Sequence, residues 1–340
     1  MFTSQQFTHQ TTIILLLSLL AFCVAMLLTP IYTHFVYKYQ LWRRPRTHSV
    51  TGEPLEVIAK LRIKRTVPMM AGLVTVSAIT VVTVACNLSR SQTWLPLAGL
   101  LAGGAVGLID DIINVKGKGE ARGLRAPIKF ALIIAVATVS ALFFYYKLGY
   151  TTVRVPFVGD WFVGWLIIPL FVLAVVSTGN AVNITDGLDG LAGGLLVSAY
   201  SSFGIIAALQ GNFGIAGFCM VAVGALLSYV WFNIPPARFF MSDVGSFALG
   251  TALGVVAMLT DTLFLLPLIG LVFVAEAGSS LIQILSKKFF HRRIFISAPI
   301  HHHFEASGWP KTKVTMRFWI IGQVCGALGV VLALIGGYIH

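Results

Sequence analysis

The amino-acid sequence predicts an all-α polytopic membrane protein that forms a single domain over residues 1–340. Hydrophobic residues make up 57% of the chain and charged residues only 11%, whereas a soluble domain has roughly 25% charged residues. Apolar runs alternate with charged breaks, and these runs have the length of about 20 residues that a helix needs to cross a bilayer. We therefore expect about ten transmembrane helices.

The predicted spans follow these apolar runs in chain order. The first run is too long for the core of a signal peptide, so we interpret it as a retained span. Between the fourth and fifth spans, β-branched residues within Tyr150–Val158 predict a small hairpin, bounded by Gly149 and Gly159. The predicted spans are Ile13–Tyr37, Pro68–Cys86, Leu95–Ile113, Phe130–Tyr146, Trp161–Thr178, Leu188–Leu209, Phe213–Phe232, Val244–Leu259, Leu263–Ser286 and Phe318–Ile339.

The distribution of basic residues predicts the orientation of the chain. Of the 24 Lys and Arg residues, only Arg90, Lys147 and Arg154 fall in the loops on one side of the ten-span arrangement. Cytoplasmic loops carry the excess of Lys and Arg, so we expect the basic side to be cytoplasmic and both termini to be extracytoplasmic. These loops suit anionic membrane lipids or a phosphorylated substrate, so the net charge of +12 does not indicate nucleic-acid binding.

A polar stripe interrupts the apolar runs at Asn180, Asn183, Asp186 and Asp189, which is every third position. On a helix or a tight helical turn, this spacing keeps the four side chains near one face. Polar groups are expensive within a membrane and are usually functional there. Helix capping is the alternative, but it explains one or two of these residues rather than four in register.

Further acidic residues lie at predicted helix ends. Asp110 and Asp111 end the third span, where the helix dipole is already electronegative. They require a metal ion or the basic cluster that ends at Lys129, unless both acids are solvated. Asp243 lies at a predicted helix start, where N-capping explains it as well as a site does. Hard oxygen ligands from several Asp residues suit Mg²⁺ or Mn²⁺ rather than zinc.

The remaining motifs lie on the same predicted face. Lys64 precedes the second span and suits a phosphate contact. Phe239 and Phe240 are either interface anchors or a stacking platform for a planar ligand such as a nucleobase. Adjacent side chains in His301–His303 diverge, so a diphosphate or a sugar hydroxyl suits them better than a metal. Glu276 lies within the ninth span and needs a partner there. The basic segment after that span is the nearest candidate.

Together these clusters predict a membrane-embedded phosphoryl-transfer site that faces the cytoplasm. A lipid phosphate entering laterally would meet a water-soluble nucleotide there. A transporter is the alternative from another class of protein. It would place polar groups near the middle of the membrane, with access from both sides, and would often show two-half symmetry. The polar clusters instead gather at one face, and no such symmetry is visible.

The motifs resemble the MraY family of bacterial phospho-N-acetylmuramoyl-pentapeptide transferases, which belongs to the polyprenyl-phosphate N-acetylhexosamine-1-phosphate transferase superfamily. The resemblance extends in matching order from Lys64 to Trp319. The histidine block is its most specific part. The matching segments are Asp110–Asp111, Asn180–Ala192, Met241–Ser246 and Ala298–Glu305.

This resemblance implies a ten-span, usually dimeric enzyme of the bacterial cytoplasmic (inner) membrane, with its active site on the cytoplasmic side. The implied reaction transfers phospho-MurNAc-pentapeptide from UDP-MurNAc-pentapeptide to undecaprenyl phosphate. It requires Mg²⁺, gives lipid I and UMP, and is the first membrane step of peptidoglycan synthesis. The alternative within the superfamily is a transferase that consumes another UDP-sugar.

Carried onto this sequence residue by residue, the resemblance implies that Asp243 and Asp186 are metal ligands and catalytic residues. Asp110, with Asp111 beside it, matches the acid that deprotonates the lipid phosphate, and Phe240 matches an aromatic that stacks on uracil. Direct attack by the lipid phosphate and a covalent aspartyl intermediate both remain open. The other implied substrate contacts are Lys64, Lys129, Asn180, Asn183, Asp189, His301, His302 and His303.

The sequence departs from the family pattern at three places. Ser242 stands where the family has a Gly before the metal-binding Asp, which would tighten the approach of the backbone. The segment Lys64–Gly72 lacks two Thr and two Gly of the family pattern, and Arg122 stands at a position usually occupied by Lys, which keeps the charge but alters its geometry. None of these departures removes a proposed catalytic group, so we expect a divergent but active member of the family.

Overall fold

The computed structural model describes residues 4–42, 67–116 and 123–339. This part of the chain is mainly helical, with one two-stranded antiparallel sheet. The strands are β1 (Thr152–Val155) and β2 (Gly159–Phe162). The helices are α1 (Ser4–Lys38), α2 (Gly72–Cys86), α3 (Trp94–Lys116), α4 (Ala126–Tyr146), α5 (Ile167–Thr185), α6 (Leu191–Leu209), α7 (Phe213–Asn233), α8 (Ser242–Leu259), α9 (Leu266–Ile269), α10 (Leu271–Phe290), α11 (Ile300–Ala306) and α12 (Lys311–Ile335).

Helix α8 lies at the centre of the bundle and is almost completely buried. It packs against α3 on one face and α5 on another. Its small residues permit close approach: a β-carbon on Gly250 would lie 2.8 Å from the Cα atom of Gly179. On the α3 side, the Thr251 hydroxyl donates to the Gly99 carbonyl over 2.9 Å. Membrane helices pack through such small and polar residues, because lipid provides no hydrophobic drive between helices.

The outer helices surround this centre in pairs. Helix α1 packs on α7, α6 packs between α7 and α12, and α4 covers α5. Their outward faces are apolar, as shown by Leu27, Val139 and Leu173, which are 74%, 69% and 65% exposed. Large exposed apolar faces are expected where the surrounding solvent is lipid rather than water.

Eight helices in the described ranges are long and apolar enough to cross a membrane, which confirms a polytopic membrane protein. They are α1 and α3 to α8, together with α12. Helix α2 is apolar but contains only 15 residues. Helix α10 carries Glu276, Lys287 and Lys288, which lower its hydrophobicity. The number of ten spans and the location of the termini stay predictions.

Several predicted boundaries are wrong for local reasons. The fifth span begins at Ile167 rather than Trp161, because Trp161 pairs with Val153 in the hairpin. A hairpin is confirmed, but its second strand, Gly159–Phe162, lies entirely after the predicted segment. The ninth span is divided at Gly270, where α9 ends and α10 begins. The sequence pattern also missed the short helix α11.

Candidate active site

The site is built around Asp243, in the first turn of α8. One of its carboxylate oxygens accepts a hydrogen bond from the Asn183 amide on α5, over 2.9 Å. The other accepts from the Lys129 ammonium on α4, over 2.5 Å. Its described hydrogen bonds thus come from side chains on other helices. The predicted position of Asp243 at a helix start is confirmed. Its hydrogen bonds favour a functional site over the N-capping interpretation.

Lys129 also links this carboxylate to Asp110, near the end of α3. The ammonium lies 2.9 Å from Asp110 Oδ2, and Asp110 is only 1% exposed. The Asn114 amide donates to the same oxygen over 2.9 Å, and the Leu124 N–H donates to Oδ1 over 2.6 Å. Asp110 is therefore held by three donors. The alternative interpretation, in which the acids at this helix end are solvated by water, is wrong for this residue.

Asp111 is equally buried but points to a different partner. Its Oδ2 accepts the N–H of Val244 over 3.0 Å, at the start of α8. The N–H groups of a first helical turn lack partners within their own helix, so this bond satisfies one of them. Asp111 therefore fixes the backbone immediately after Asp243.

The backbone before Asp243 is also constrained. Ser242 has a φ of 63°, in the left-handed region that favours Gly. The departure from the family pattern at Ser242 thus falls on a conformation for which Gly is better suited. A β-carbon on Gly107 would lie 2.1 Å from the Asp243 carbonyl oxygen, so α3 can approach this turn only with Gly at that position.

Asp110, Asp111 and Asp243 form a group that could hold a metal ion. Each offers one carboxylate oxygen, and these oxygens lie within 4.8 Å of one another. Among the described residues, the three carboxylates share the ammonium of Lys129, and this excess of negative charge favours a cation. Asp186 is not a member of this group, and its assignment as a metal ligand stays a prediction.

The turn between α5 and α6 carries the rest of the polar stripe. Helix α5 ends at Thr185, so only Asn180 and Asn183 lie on it. The Asn180 amide turns back to the Val176 carbonyl over 2.8 Å. Asp186 is the C-cap residue of α5, and Asp189 lies in the turn that follows. The stripe therefore begins on a helix and continues on the tight turn, the two forms that the spacing predicted.

Residues that sequence reasoning had not singled out hold this turn at its second end. The Asn233 side chain accepts the Gly190 N–H over 2.7 Å, and the Trp319 indole donates to the Gly190 carbonyl over 3.0 Å. The Asp189 carboxylate accepts the Ala237 N–H over 3.1 Å. Asn233 and Trp319 lie 43 and 129 residues from Gly190 in the chain, so no local spacing links them to it.

The three histidines point to three different partners, as their adjacency predicted. His301 Nδ1 lies 2.7 Å from Glu276 Oε2, and both side chains are buried. The partner of Glu276 therefore lies in the segment after its span, as expected, but it is a histidine rather than a Lys or Arg. His303 Nδ1 accepts the Ile296 N–H over 3.2 Å. His302 lies 2.6 Å from the Glu305 carboxylate.

Glu305 belongs to the short helix α11, outside the spans. Burial alone would raise the pKa of its carboxyl, but the hydrogen bond and charge of His302 and the charge of Lys311 hold the pKa below its ordinary value. Glu305 thus remains anionic beside His302 and fixes the orientation of that ring.

Phe239, Phe240 and Lys64 were also predicted to lie at the site. Phe239 is buried against Tyr32 and Phe232, so it is neither an interface anchor nor a stacking platform. Phe240 is half-buried, and its N–H donates to the Pro68 carbonyl over 2.9 Å. Its stacking on a base stays a prediction. Lys64 lies outside the described residues.

Comparison with known proteins agrees with this arrangement. Residues 93–261 match the family described as glycosyl transferase family 4. A phospho-N-acetylmuramoyl-pentapeptide-transferase of Chloroflexus aggregans is 38% identical over 338 residues, which cover 95% of this chain and 90% of that protein. Proteins of the same name from Bartonella quintana and Dichelobacter nodosus are 39% and 41% identical, over 79% and 77% of this chain and 78% of each relative.

Proposed function

This chain belongs to the phospho-N-acetylmuramoyl-pentapeptide transferase family, and from that premise we propose that the Asp110, Asp111 and Asp243 group is its reaction centre. The enzyme transfers phospho-MurNAc-pentapeptide from UDP-MurNAc-pentapeptide to undecaprenyl phosphate, with lipid I and UMP as products. Nothing in the comparisons favours the alternative with another UDP-sugar donor. The observation that carries the proposal is the convergence of three carboxylates, from α3 and α8, beside Lys129.

The donor set fits Mg²⁺. Carboxylate oxygens are the hard ligands that this ion prefers, and three of them lie within 4.8 Å of one another. Lys129 now bridges Asp110 and Asp243, which shows that the acids accept a cation between them. Asp243, Asp110 and Asp111 are the residues that would hold the ion. When bound, Mg²⁺ would supply charge neutralisation for the diphosphate and for the leaving UMP.

The surrounding residues orient these acids. The Asn183 amide holds one oxygen of Asp243, which leaves the other oxygen directed at Lys129. Asp111 binds the Val244 N–H and so acts as a positioning residue for the start of α8. Rigid presentation of the carboxylates matters because catalysis by positioning is lost when reacting groups shift by as little as about 1 Å.

Asp110 is the proposed base for the lipid phosphate. The Leu124 N–H and the Asn114 amide fix the orientation of its carboxylate. The Lys129 ammonium is the mobile partner, since its side chain is flexible and can exchange a carboxylate for a phosphate oxygen. In this account, Lys129 moves toward the incoming phosphate as Asp110 accepts the proton.

We assign the site to the cytoplasmic face of the bacterial inner membrane, because most of the Lys and Arg residues belong to the loops predicted on that side. The partners are then UDP-MurNAc-pentapeptide from the cytoplasm, undecaprenyl phosphate from the bilayer and the membrane lipids around the bundle. A homodimer is proposed on the family resemblance alone.

UMP release by detergent-purified protein tests this function. The protein receives undecaprenyl phosphate and Mg²⁺ with either UDP-MurNAc-pentapeptide or UDP-GlcNAc. Release with the muramyl donor only is the expected result, and chelation of Mg²⁺ should abolish it. Release with UDP-GlcNAc only would replace the proposed donor while retaining the chemistry. Folded protein that releases UMP from neither donor would contradict the proposal. A burst of UMP without lipid acceptor would contradict direct attack.

A further inference from the structure

A buried acid–imidazole pair lies beside the site but outside the reaction centre. Glu276 on α10 and His301 on α11 are 0% and 1% exposed, and their facing atoms are 2.7 Å apart. A buried pair of this kind gains little stability, because the desolvation cost approaches the gain from the attraction. Its presence is therefore better explained by what the pair positions than by what it stabilises.

The orientation of His301 shows what the pair contacts. Because Nδ1 faces Glu276, Nε2 is directed away from it. A β-carbon on Gly187 would lie 2.4 Å from this Nε2, so the ring edge lies directly against the turn between α5 and α6. Within the described ranges, Nε2 has no hydrogen-bond partner. His301 thus lies beneath the turn and not in an open cleft.

The turn that His301 contacts carries Asp186 and Asp189. Its second end is held through Gly190, which is bound by Asn233 and Trp319. At its first end, the Asp186 N–H donates to the Val182 carbonyl over 3.2 Å, and the Gly187 N–H donates to the Thr185 carbonyl over 2.8 Å. The His301 ring is the side-chain group from another element that lies closest to Gly187.

We propose that Glu276 and His301 are positioning residues that brace Gly187 and thereby fix the turn carrying Asp186 and Asp189. This inference rests on the proposed function for its effect on turnover. Glu276 acts through His301: its carboxylate holds Nδ1, and the ring edge then sets the position of the turn. His301 acts from beneath the turn, without touching the substrate.

Gly187→Ala is the sharpest perturbation of this contact. The backbone of Gly187 is outside the left-handed region, so Ala is permitted there, and the three atoms nearest to the new methyl group all belong to the His301 ring. A displaced turn should lower kcat about 10- to 100-fold. The matched control is Gly278→Ala on α10, where a β-carbon meets nothing within 4 Å. Gly278→Ala should retain the wild-type kcat.

Two further variants separate bracing from other roles of His301. His301→Asn keeps a donor for Glu276 but lacks the ring edge that meets Gly187, so it should remove the clash in Gly187→Ala. The double variant should then have a kcat no lower than that of the worse single variant. Additive losses, or a raised KM with an unchanged kcat, would show a direct substrate contact and would overturn the proposal.

Glu276→Gln, which keeps an acceptor, should retain more activity than Glu276→Ala.

Hydrogen–deuterium exchange gives a readout that does not depend on turnover. Peptides that cover residues 183–194 should exchange faster in Gly187→Ala and Glu276→Ala than in wild type, and at the wild-type rate in Gly278→Ala. Unchanged exchange in Gly187→Ala would overturn the bracing. Absence of UMP release by the wild type would instead contradict the proposed function, and the exchange result would still decide the role of the pair.

Discussion

The two ends of α8 each carry an aspartate, and their surroundings differ. Asp243, at the beginning of the helix, shares Lys129 with Asp110 and lies close to Asp111. Asp261 follows the end of the helix and accepts the Arg154 N–H over 3.0 Å. The Arg154 side chain binds Asp160 over 2.6 Å and also donates to the Gly337 carbonyl.

The difference lies in convergence. At the Asp243 end, three carboxylates converge, and in the described part of the chain they face the ammonium of Lys129. At the Asp261 end, each group bonds a different partner, and the bonds tie the hairpin to the end of the chain, with the Tyr338 hydroxyl donating to the Arg154 carbonyl over 3.1 Å. Polar groups that each pair with a different secondary-structure element hold the fold together. Carboxylates that converge with an excess of negative charge are instead suited to bind a cation and a phosphorylated substrate.

The largest expected effect is the loss of activity in Asp243→Asn. Removing a carboxylate from the reaction centre should lower kcat by at least about 100-fold, because the donor set loses a charged ligand. Asp261→Asn is the matched control at the other end of the same helix and should retain wild-type turnover. UMP release measured for both variants checks this comparison, and near-normal turnover of Asp243→Asn would refute the assignment.

A somewhat smaller effect is expected from Gly107→Ala. The new methyl group would overlap the Asp243 carbonyl, which belongs to backbone and cannot rotate away. We expect α3 and α8 to separate, with a loss of about 1–3 kcal/mol in unfolding free energy and a reduced kcat. Gly99→Ala on the same helix meets a Val255 methyl at 3.2 Å and the Ala252 Cα atom at 4.0 Å, and should be tolerated. Thermal unfolding and UMP release together test the pair.

These expectations show which parts of the site can be predicted from sequence. Hydrophobic runs locate the helices, and acids at their ends locate Asp110, Asp111 and Asp243, because charge within a membrane is too expensive to be incidental. The hydrogen bond of Asp111 to Val244 and the bridge by Lys129 join residues far apart in the chain. No local pattern contains that information.

The same limit explains what the sequence pattern missed. Spacing by three residues does not show where the helix gives way to a turn, and α5 ends at Thr185, before Asp189. Proximity in the chain assigned Glu276 to the segment after its span but could not single out the residue in it that makes the contact. Its partner, His301, reaches it through the short helix α11, which the hydrophobic pattern does not reveal.

A smaller effect is expected from Arg154→Gln at the Asp261 end. The exposed ion pair with Asp160 contributes about 0.2–1 kcal/mol, so the melting temperature should fall slightly while kcat stays at the wild-type value. A large fall in kcat would mean that the two ends of α8 are coupled, which would weaken the contrast between them. Thermal unfolding and turnover measured on the same preparation decide this.

The smallest effect concerns pH. Burial and the charge of Asp160 raise the pKa of Asp261 to about 6, despite the opposing contribution of Arg154, from an ordinary value of 3.8. The folded state therefore binds this proton more tightly than the unfolded state, so the stabilisation is present at low pH and is lost as the pH rises from about 4 to about 6. Asp261→Asn should flatten the melting temperature across this range. An unchanged pH profile would contradict the raised pKa.

Metal binding tests the central claim most directly. Mn²⁺ can replace Mg²⁺ at oxygen-rich sites and is detected by electron paramagnetic resonance. Wild-type protein and Asp261→Asn should bind Mn²⁺ with the same affinity, whereas Asp243→Asn should bind it at least about 10-fold more weakly. Equal binding by wild type and Asp243→Asn would contradict the proposal that the convergent carboxylates at the start of α8 hold the metal ion of the transfer reaction.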